Sequence, residues 1–343
     1  MKIVVLCGGL SPERNVSLSS GTKIAGALMA RGHSVVLADM FFGLENWNGE
    51  LKDIFDFPPE LGGTGIDVNA PDLQAVKTSR RLSGPSLFGD RVLELCQMAD
   101  IVFMALHGQC GEDGRVQAAF DLLGIRYTGS AIAMDKDLTK RIVAPYGVLT
   151  PEWNIHDCGI IDISAVAAKT DLPCVVKPVD SGSSIGVSIA RTKQALEDAL
   201  RGLAGTGSRA VVERYIEGRE IQIGILDGKA LPSIEIRPRE GFYDYKNKYQ
   251  PGAAEEITPA PIPREAEERL AVSAMTVFNV LGLHAYSRAD YIYDKEGRFW
   301  FLEINTLPGM TPTSLVPQEA AVVGIGYGEL CERIIEISLE KYR

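Results

Sequence analysis

The first forty residues combine strand and helix periodicity. Residues 2–7 form a continuous apolar run that ends at a glycine pair, which predicts a buried strand entering a loop. Four residues then recur at intervals of four, namely Val16, Ser20, Ile24 and Leu28, and this spacing predicts a helix with these residues on one side. Gly32 ends this helix, and residues 34–39 form a second apolar run. The pattern predicts a strand, a helix and a second strand.

The hydrophobic periodicity weakens after the predicted strand–helix–strand unit and becomes clear again after residue 95. Between residues 41 and 95, prolines and glycines interrupt any period, so we expect a loop-rich insertion with one short helix near residues 89–98. A buried strand is predicted over residues 101–106, and a helix over residues 115–123 is closed by Gly124. Residues 1–130 therefore predict a small doubly wound α/β domain.

Two further lobes are predicted, over residues 131–212 and 213–343. Their elements are strands at 173–177, 187–190, 209–214, 285–293 and 298–305, and helices at 192–203, 263–281 and 328–342. Residues 239–263 have no period; long segments of this kind are often lids, and the alternative is a plain insertion.

The composition narrows the classes of protein to which the chain could belong. The 343 residues include 45% hydrophobic and 23% charged residues, as in folded globular proteins. No apolar run approaches the roughly 20 residues of a membrane-spanning helix. The net charge of −10 argues against nucleic acid or an anionic membrane as the main partner. The six cysteines are scattered and include no C-x-x-C pair, which indicates a reducing cytosol.

Residues 285–305 predict a β-hairpin that carries metal ligands. With a four-residue turn at 294–297, Arg288 would face Glu303 and Asp290 would face Phe301. Because side chains alternate across a strand, Arg288, Asp290, Glu303 and Asn305 would share one face. Asp290, Glu303 and Asn305 could then bind Mg²⁺, which prefers oxygen ligands. The alternative is a solvated strand face with a salt bridge between Arg288 and Glu303.

Two lysines are candidates for binding phosphate. Lys177 ends a predicted buried strand and precedes a loop of glycine and serine over residues 180–186, whose backbone N–H groups could surround anionic oxygens. Lys136 is a second candidate cation. Residues 213–220 follow an apolar strand and could contact an adenine edge and a ribose. Each of these features, taken singly, has an alternative interpretation. Residues 180–186 could be a surface turn, Lys136 an ordinary surface lysine, and residues 213–220 a strand end with charged flanks.

In this order along the chain, the motifs are specific. The chain resembles the D-alanine–D-alanine ligases of the ATP-grasp superfamily, and the matching segments are residues 8–21, 107–114, 127–130, 134–136, 177–186, 242–249, 288–290 and 303–315. The resemblance extends from the first strand almost to the C-terminus and leaves mainly residues 41–95 unmatched. It implies an α/β ATP-grasp fold that follows the N-terminal doubly wound domain along the chain, with ATP between the second and third lobes.

The resemblance also implies roles for individual residues. The residues implied for ATP are Lys136, Lys177, Glu213, Tyr215, Ile216, Glu220, Phe242 and Lys248. Asp290, Glu303 and Asn305 would bind two Mg²⁺ ions, with Mn²⁺ as a possible substitute. Those implied for the substrates and the reacting carbonyl are Glu13, His107, Arg288, Gly309, Ser314 and Leu315. Glu13 would bind the ammonium of the first D-alanine within a hydrogen-bond network with Ser183 and Tyr249, which would close the lid.

The activity implied is ATP-dependent ligation of two D-alanines through an acyl phosphate, for peptidoglycan precursors of the cell wall. The resemblance further implies a cytoplasmic homodimer with small-molecule substrates only. Four positions depart from the usual family pattern: Asn15, Cys110, Arg214 and Thr313. Since Thr313 lies close to the implied site of the second substrate, a sister ligase that adds D-serine or D-lactate stays an alternative. A non-catalytic ATP-binding regulatory protein is a more remote one.

Overall fold

The computed structural model describes residues 1–59, 61, 71–109, 111–130, 135–205, 209–239, 241, 248 and 252–343. These residues form three β-sheets with helices packed against them. No helix within these ranges is long and apolar enough to cross a membrane.

The first sheet is parallel and is built from β1 (Lys2–Cys7), β2 (Ser34–Asp39) and β3 (Ile101–Met104), in the order β2-β1-β3. Its strands are almost entirely buried, as expected for a parallel sheet covered on both faces. The helices of this region are α1 (Arg14–Ala30), α2 (Leu73–Ser79), α3 (Val92–Met98) and α4 (Arg115–Leu123). The predicted strand–helix–strand unit is confirmed.

The segment between residues 41 and 95 contains more structure than its pattern predicts. A 3₁₀ helix at Leu51–Asp56 and helix α2 precede the expected short helix α3. No residue of α2 is buried, so its sequence lacks the apolar stripe that would have predicted it. The Asp72 side chain caps α2 by accepting hydrogen bonds from the N–H groups of Gln74 and Ala75.

The second sheet is antiparallel, in the order β4-β7-β5-β6. Its strands are β4 (Trp153–Asp157), β5 (Cys174–Pro178), β6 (Ser188–Ala190) and β7 (Arg209–Arg214), and its helices are α5 (Lys136–Val143), α6 (Ile163–Lys169) and α7 (Lys193–Ala204). The Thr192 side chain caps α7 by accepting a hydrogen bond from the N–H of Ala195. Strand β4 was not predicted, because it is an edge strand without a fully buried residue.

The third sheet has the order β11-β10-β8-β12-β13, with β9 paired to β8. Its strands are β8 (Gly218–Leu226), β9 (Lys229–Ala230), β10 (Ile234–Pro238), β11 (Ala254–Ile257), β12 (Tyr286–Asp294) and β13 (Phe299–Asn305). Helix α8 (Arg264–Val280) packs its apolar stripe against the sheet. Residues 239–263, for which the sequence shows no period, include strand β11, which pairs with β10.

The end of the chain returns to its beginning. Helix α9 (Leu315–Val322) leads into α10 (Tyr327–Glu340), whose buried residues join the core of the first sheet. At the surface, Glu332 of α10 pairs with Arg31 and His33. The boundaries of the three predicted lobes stay predictions.

The register of the β12–β13 hairpin differs from the prediction. Arg288 faces Asn305 and Asp290 faces Glu303, whereas Arg288 had been predicted to face Glu303. The connecting loop has three residues and ends at Gly297, which takes a positive φ of 78°. A β-bulge between Asp290 and Tyr291 shifts the pairing once more.

Candidate active site

Two adjoining cavities lie where the second and third sheets meet the first lobe. The larger has a volume of about 630 Å³ and is lined by residues of the second and third sheets. The smaller has a volume of about 150 Å³ and is lined by residues from all three parts of the fold. Lys248 and Glu303 line both cavities. The two spaces therefore adjoin at one lysine and one carboxylate.

The larger cavity collects the residues that the sequence assigns to ATP. Those that line it are Lys136, Lys177, Glu213, Tyr215, Ile216, Glu220 and Lys248. Part of its wall is apolar, with Val175, Ile189, Ile236 and Leu302 among the lining residues. A cavity with an apolar part and several lysines suits a ligand with a flat ring and an anionic tail.

Glu213 is held between two lysines. Lys177 Nζ lies 2.6 Å from Glu213 Oε1, and Lys140 Nζ pairs with Oε2. Burial alone would raise the pKa of Glu213, but Lys177 and Lys140 outweigh it and lower that pKa. The carboxylate is therefore ionised, and each of its oxygens has a cationic partner.

Glu220 lies on the next strand, and burial raises its pKa to about 7. Its Oε1 accepts a hydrogen bond from Gln222 Nε2 at 3.0 Å. A carboxyl group with this pKa can accept hydrogen bonds from hydroxyl groups and titrates near neutral pH.

Glu303 on β13 pairs with a lysine on helix α5. Lys136 Nζ lies 3.1 Å from Glu303 Oε2 and also donates a hydrogen bond of 2.5 Å to the carbonyl of Ser181. Burial opposes the ionisation of Glu303, but Lys136, Lys177 and Lys248 together lower its pKa to about 2. Glu303 is thus a permanent anion in a strongly positive environment.

The predicted metal ligands share one face of the hairpin. Asp290 accepts two hydrogen bonds from Arg288, from Nε to Oδ1 at 2.8 Å and from Nη2 to Oδ2 at 3.0 Å. Asn305 Nδ2 lies 3.2 Å from Asp290 Oδ2. Arg288 therefore forms an ion pair with Asp290 on its own strand. The salt bridge to Glu303, which was the alternative interpretation of this face, is not found among the described residues.

The chemistry of this face fits Mg²⁺. It offers two carboxylates and an amide, and Mg²⁺ takes one or two protein carboxylates together with phosphate oxygens and water. In the described part of the chain, no three His, Cys, Asp or Glu side chains form a metal-binding group by themselves. A cation here would take its remaining ligands from a bound nucleotide and water.

The smaller cavity collects the residues assigned to the amino-acid substrates. Those that line it are Glu13, His107, Arg288, Gly309, Ser314 and Leu315, and Ser183 and the predicted metal ligand Asn305 line it as well. Ser183 donates a hydrogen bond from its hydroxyl to Glu13 Oε1. Burial raises the pKa of Glu13, although Ser183 and Lys248 act against this. Burial also lowers the pKa of His107 to about 4, so its imidazole is neutral at pH 7.

The backbone around Ser183 is unusual. Ser183 and Ser184 take positive φ angles of 50° and 58° in the loop after β5. This conformation is uncommon for residues other than glycine and is found often at binding sites. It brings the Ser183 hydroxyl onto Glu13, which precedes helix α1 in the first lobe.

Two buried residues next to the cavities had no predicted role. Glu112 lies in a motif that the sequence singled out, and it lines the smaller cavity. Its oxygens accept hydrogen bonds from the N–H groups of Gly108, at 2.9 Å, and Leu307, at 3.4 Å. Lys140 carries no sequence motif beyond its spacing of four from Lys136.

Phe242, Tyr249 and Cys110 lie outside the described residues.

The comparison with known proteins agrees with this geometry. Residues 2–130 match the family model "D-ala D-ala ligase N-terminus", and residues 142–336 match "D-ala D-ala ligase C-terminus". A D-alanine–D-alanine ligase of Lacticaseibacillus casei is 38% identical, over 100% of this chain and 97% of that protein. One of Pediococcus pentosaceus is 39% identical, over 98% and 97%.

Solved structures of D-alanine–D-alanine ligases are similar to this chain as well. The ligase of Bacillus anthracis complexed with ATP superposes with a TM-score of 0.74 at 32% identity, covering 99% of this chain and 97% of that one. The ligase of Coxiella burnetii, at 22% identity and a TM-score of 0.75, supports the fold alone. The prediction of an α/β ATP-grasp fold is confirmed. The chain belongs to the D-alanine–D-alanine ligase family.

Proposed function

We propose that this chain uses ATP to join two D-alanine molecules into D-alanyl-D-alanine, a building block of peptidoglycan. The observation that carries the proposal is the pair of adjoining cavities that share Lys248 and Glu303. A phosphoryl group at this junction would be in reach of a carboxylate bound in the smaller cavity. The family membership supports the same activity.

The nucleotide would occupy the larger cavity. Lys136, Lys177 and Lys248 would contact its phosphates, because lysines neutralise phosphate as point charges. Adenosine would lie toward Glu213, Tyr215, Ile216 and Glu220, which also line this cavity. Phe242 is proposed to cover the adenine from the lid.

Asp290, Glu303 and Asn305 would hold two Mg²⁺ ions, and Mn²⁺ could replace them. When bound, Mg²⁺ would stabilise the negative charge that develops on the transferred phosphoryl group. Arg288 now contacts both oxygens of Asp290, so it would release at least one of them when a cation binds.

The first D-alanine would bind with its ammonium on Glu13, which Ser183 orients. Its carboxylate attacks the terminal phosphorus of ATP, and ADP leaves as the acyl phosphate forms. The neutral amine of the second D-alanine then attacks the activated carbonyl carbon. The bond between that carbon and the phosphate oxygen breaks, phosphate leaves, and the new amide nitrogen releases its proton.

Arg288 and the Gly309 N–H would stabilise the oxyanion of this second step. By analogy with other oxyanion holes, each donor is worth roughly 3–4 kcal/mol. His107, Ser314 and Leu315 would orient the substrates in the same cavity. Tyr249 and the lid over residues 239–263 would exclude water, which would otherwise hydrolyse the acyl phosphate.

One assay tests the proposal. Phosphate release from ATP and Mg²⁺ is measured with D-alanine, and the product is identified by mass spectrometry. D-alanine should stimulate release and yield D-alanyl-D-alanine. D-serine or D-lactate, offered as the second substrate with D-alanine, should be incorporated poorly. If D-alanine does not stimulate phosphate release, the proposal is wrong; if mixed products dominate, the sister ligase is the better assignment.

We further propose that the protein works in the cytoplasm as a homodimer. The five cysteines within the described ranges are free and buried, which agrees with a reducing compartment. Light scattering would measure the mass in solution, and the mass of a monomer would contradict the dimer.

A further inference from the structure

Lys140 lies beneath the larger cavity and is fully buried. It sits on helix α5, with 0% of its side chain exposed. Its Nζ pairs with Glu213 Oε2 and lies 5.2 Å from the centre of the Trp153 ring. Because Lys177 pairs with the other oxygen of Glu213, two lysines share one carboxylate. The three groups together carry one net positive charge when all are ionised.

Only two of these three groups reach the cavity. Glu213 and Lys177 line it, whereas Lys140 is absent from the described lining of both cavities. Lys140 therefore has no direct contact with a ligand in the cavity, and its link to a bound nucleotide by contact runs through Glu213. Burying a third charged group costs free energy, and an apolar side chain of similar length would fill the same space at a lower cost. This cost makes a purely space-filling role a poor explanation.

We propose that Lys140 is a positioning residue for nucleotide binding. It occupies one oxygen of Glu213, so that this carboxylate does not cancel the charge of Lys177. The cavity thereby keeps one unit of positive charge facing the phosphates. This inference rests on the proposed binding of ATP in the larger cavity.

The protonation states agree with this role. Burial lowers the pKa of Lys140 to about 8, although Glu213 acts in the opposite direction, and the neighbouring lysines Lys177 and Lys136 lower it further. The Trp153 ring that packs on Lys140 carries no charge. Lys140 therefore stays mainly protonated at pH 7 and loses its proton above pH 8.

A double-mutant cycle tests the proposal. Lys140→Met keeps the length and apolar character of the stem and removes the charge. The dissociation constant of a non-hydrolysable ATP analogue with Mg²⁺ is measured by calorimetry for the unaltered protein, Lys140→Met, Glu213→Gln and the double variant. We expect Lys140→Met alone to weaken binding on the order of tenfold, because Glu213, freed from Lys140, can turn both oxygens onto Lys177 and hold it away from the phosphates. In the Glu213→Gln background, the same change should weaken binding less than about twofold, because no carboxylate remains to cancel Lys177.

The matched control is Arg141→Met. Arg141 lies on the same helix with 65% of its side chain exposed and pairs with Asp137 at 2.8 Å. The substitution removes a positive charge from the same helix at a position that does not contact Glu213. The affinity for the ATP analogue should therefore stay unchanged. In activity assays, Lys140→Met should raise the KM for ATP and leave the KM for D-alanine unchanged.

Two results would overturn the proposal: an equal loss in both backgrounds, which would indicate packing, or no loss in a folded Lys140→Met protein. If Lys140→Met does not fold, the pH dependence of analogue binding decides. Affinity of the unaltered protein should then fall above pH 8, and this fall should be absent from the double variant; equal profiles would overturn the role. Since the binding measurements contain no D-alanine, they can contradict the role of Lys140 while the ligase activity stands, and the reverse also holds.

Discussion

Ser183 donates a hydrogen bond from its hydroxyl to the carboxylate of Glu13, although the two residues are 170 positions apart. Glu13 precedes the first helix, and Ser183 belongs to the loop after β5. This bond therefore joins the first lobe to the second at the wall of the smaller cavity. It also stabilises the ionised form of Glu13 against burial, which raises the pKa of this carboxyl group.

Ser183→Ala should weaken the binding of the first D-alanine. Without the hydroxyl, the pKa of Glu13 rises further, and less of the carboxylate is ionised to bind an ammonium group. A hydrogen bond to a charged group contributes about 1.5–3 kcal/mol, so the KM for D-alanine should rise roughly ten- to a hundredfold. The KM for ATP should change little. Steady-state kinetics checks this, with Ser164→Ala, an exposed serine on α6, as the control.

Gly182→Ala should disturb the same contact by a steric route. A Cβ atom at Gly182 would lie 2.5 Å from Glu13 Oε2, and the buried carboxylate would have to move. We expect a KM for D-alanine raised at least as much as in Ser183→Ala. The control is Gly202→Ala on helix α7, where nothing lies within 4 Å of the added Cβ. It should stabilise the helix by up to about 1 kcal/mol without changing the kinetics, and equal kinetics in the two variants would contradict the steric account.

The alternation of side chains along the two strands predicted that Asp290, Glu303 and Asn305 share one face, although the predicted residue pairs were wrong. The three-residue loop and the bulge displace the partner of Arg288 from Glu303 to Asn305, which is a shift of two positions. Because side chains alternate with a period of two, this shift keeps Asp290, Glu303 and Asn305 on one face. A loop length and a bulge depend on local geometry that a hydrophobic pattern does not record.

Lys140 and Glu112 could not be found in this way. Lys140 has the sequence environment of a surface lysine on an amphipathic helix, and its contacts with the Trp153 ring of β4 and with Glu213 of β7 arise only in the folded structure. Glu112 acquires its second partner, the N–H of Leu307, from a segment 195 positions away. Burial of charge depends on contacts between distant segments, so local spacing carries no signal for it.

Glu303→Gln should abolish turnover and leave the fold intact. The substitution keeps the size of the side chain but removes one of the two carboxylates proposed for the metal. Binding of a hard cation then weakens, because an amide is a poorer ligand than a carboxylate. Phosphate release, a Mn²⁺ titration and thermal unfolding measure the three effects.

The matched control for Glu303→Gln is Glu265→Gln, an exposed residue in the first turn of α8. This variant should keep full activity and the same cation affinity. Full activity in Glu303→Gln would exclude the proposed metal site.

Glu112 should make the stability of the protein depend on pH. Burial raises its pKa to about 8, helped by the nearby Glu13 and Glu303, whereas its ordinary value is 4.5. Between pH 4.5 and 8 the folded protein therefore holds a proton on Glu112 that the unfolded chain has released. The stabilisation is complete below pH 4.5 and is lost as pH rises toward 8, with a slope of up to about 1.4 kcal/mol per pH unit.

Glu112→Gln should flatten this decline, because an amide mimics the protonated carboxyl group and does not titrate. Unfolding midpoints are compared at pH 5, 6, 7 and 8 for the unaltered protein, Glu112→Gln and Glu94→Gln, an exposed glutamate on α3. The advantage of Glu112→Gln should grow with each step in pH, whereas Glu94→Gln should follow the unaltered protein throughout. Parallel curves for all three proteins would mean that Glu112 is already ionised in the folded state, held by the N–H groups of Gly108 and Leu307.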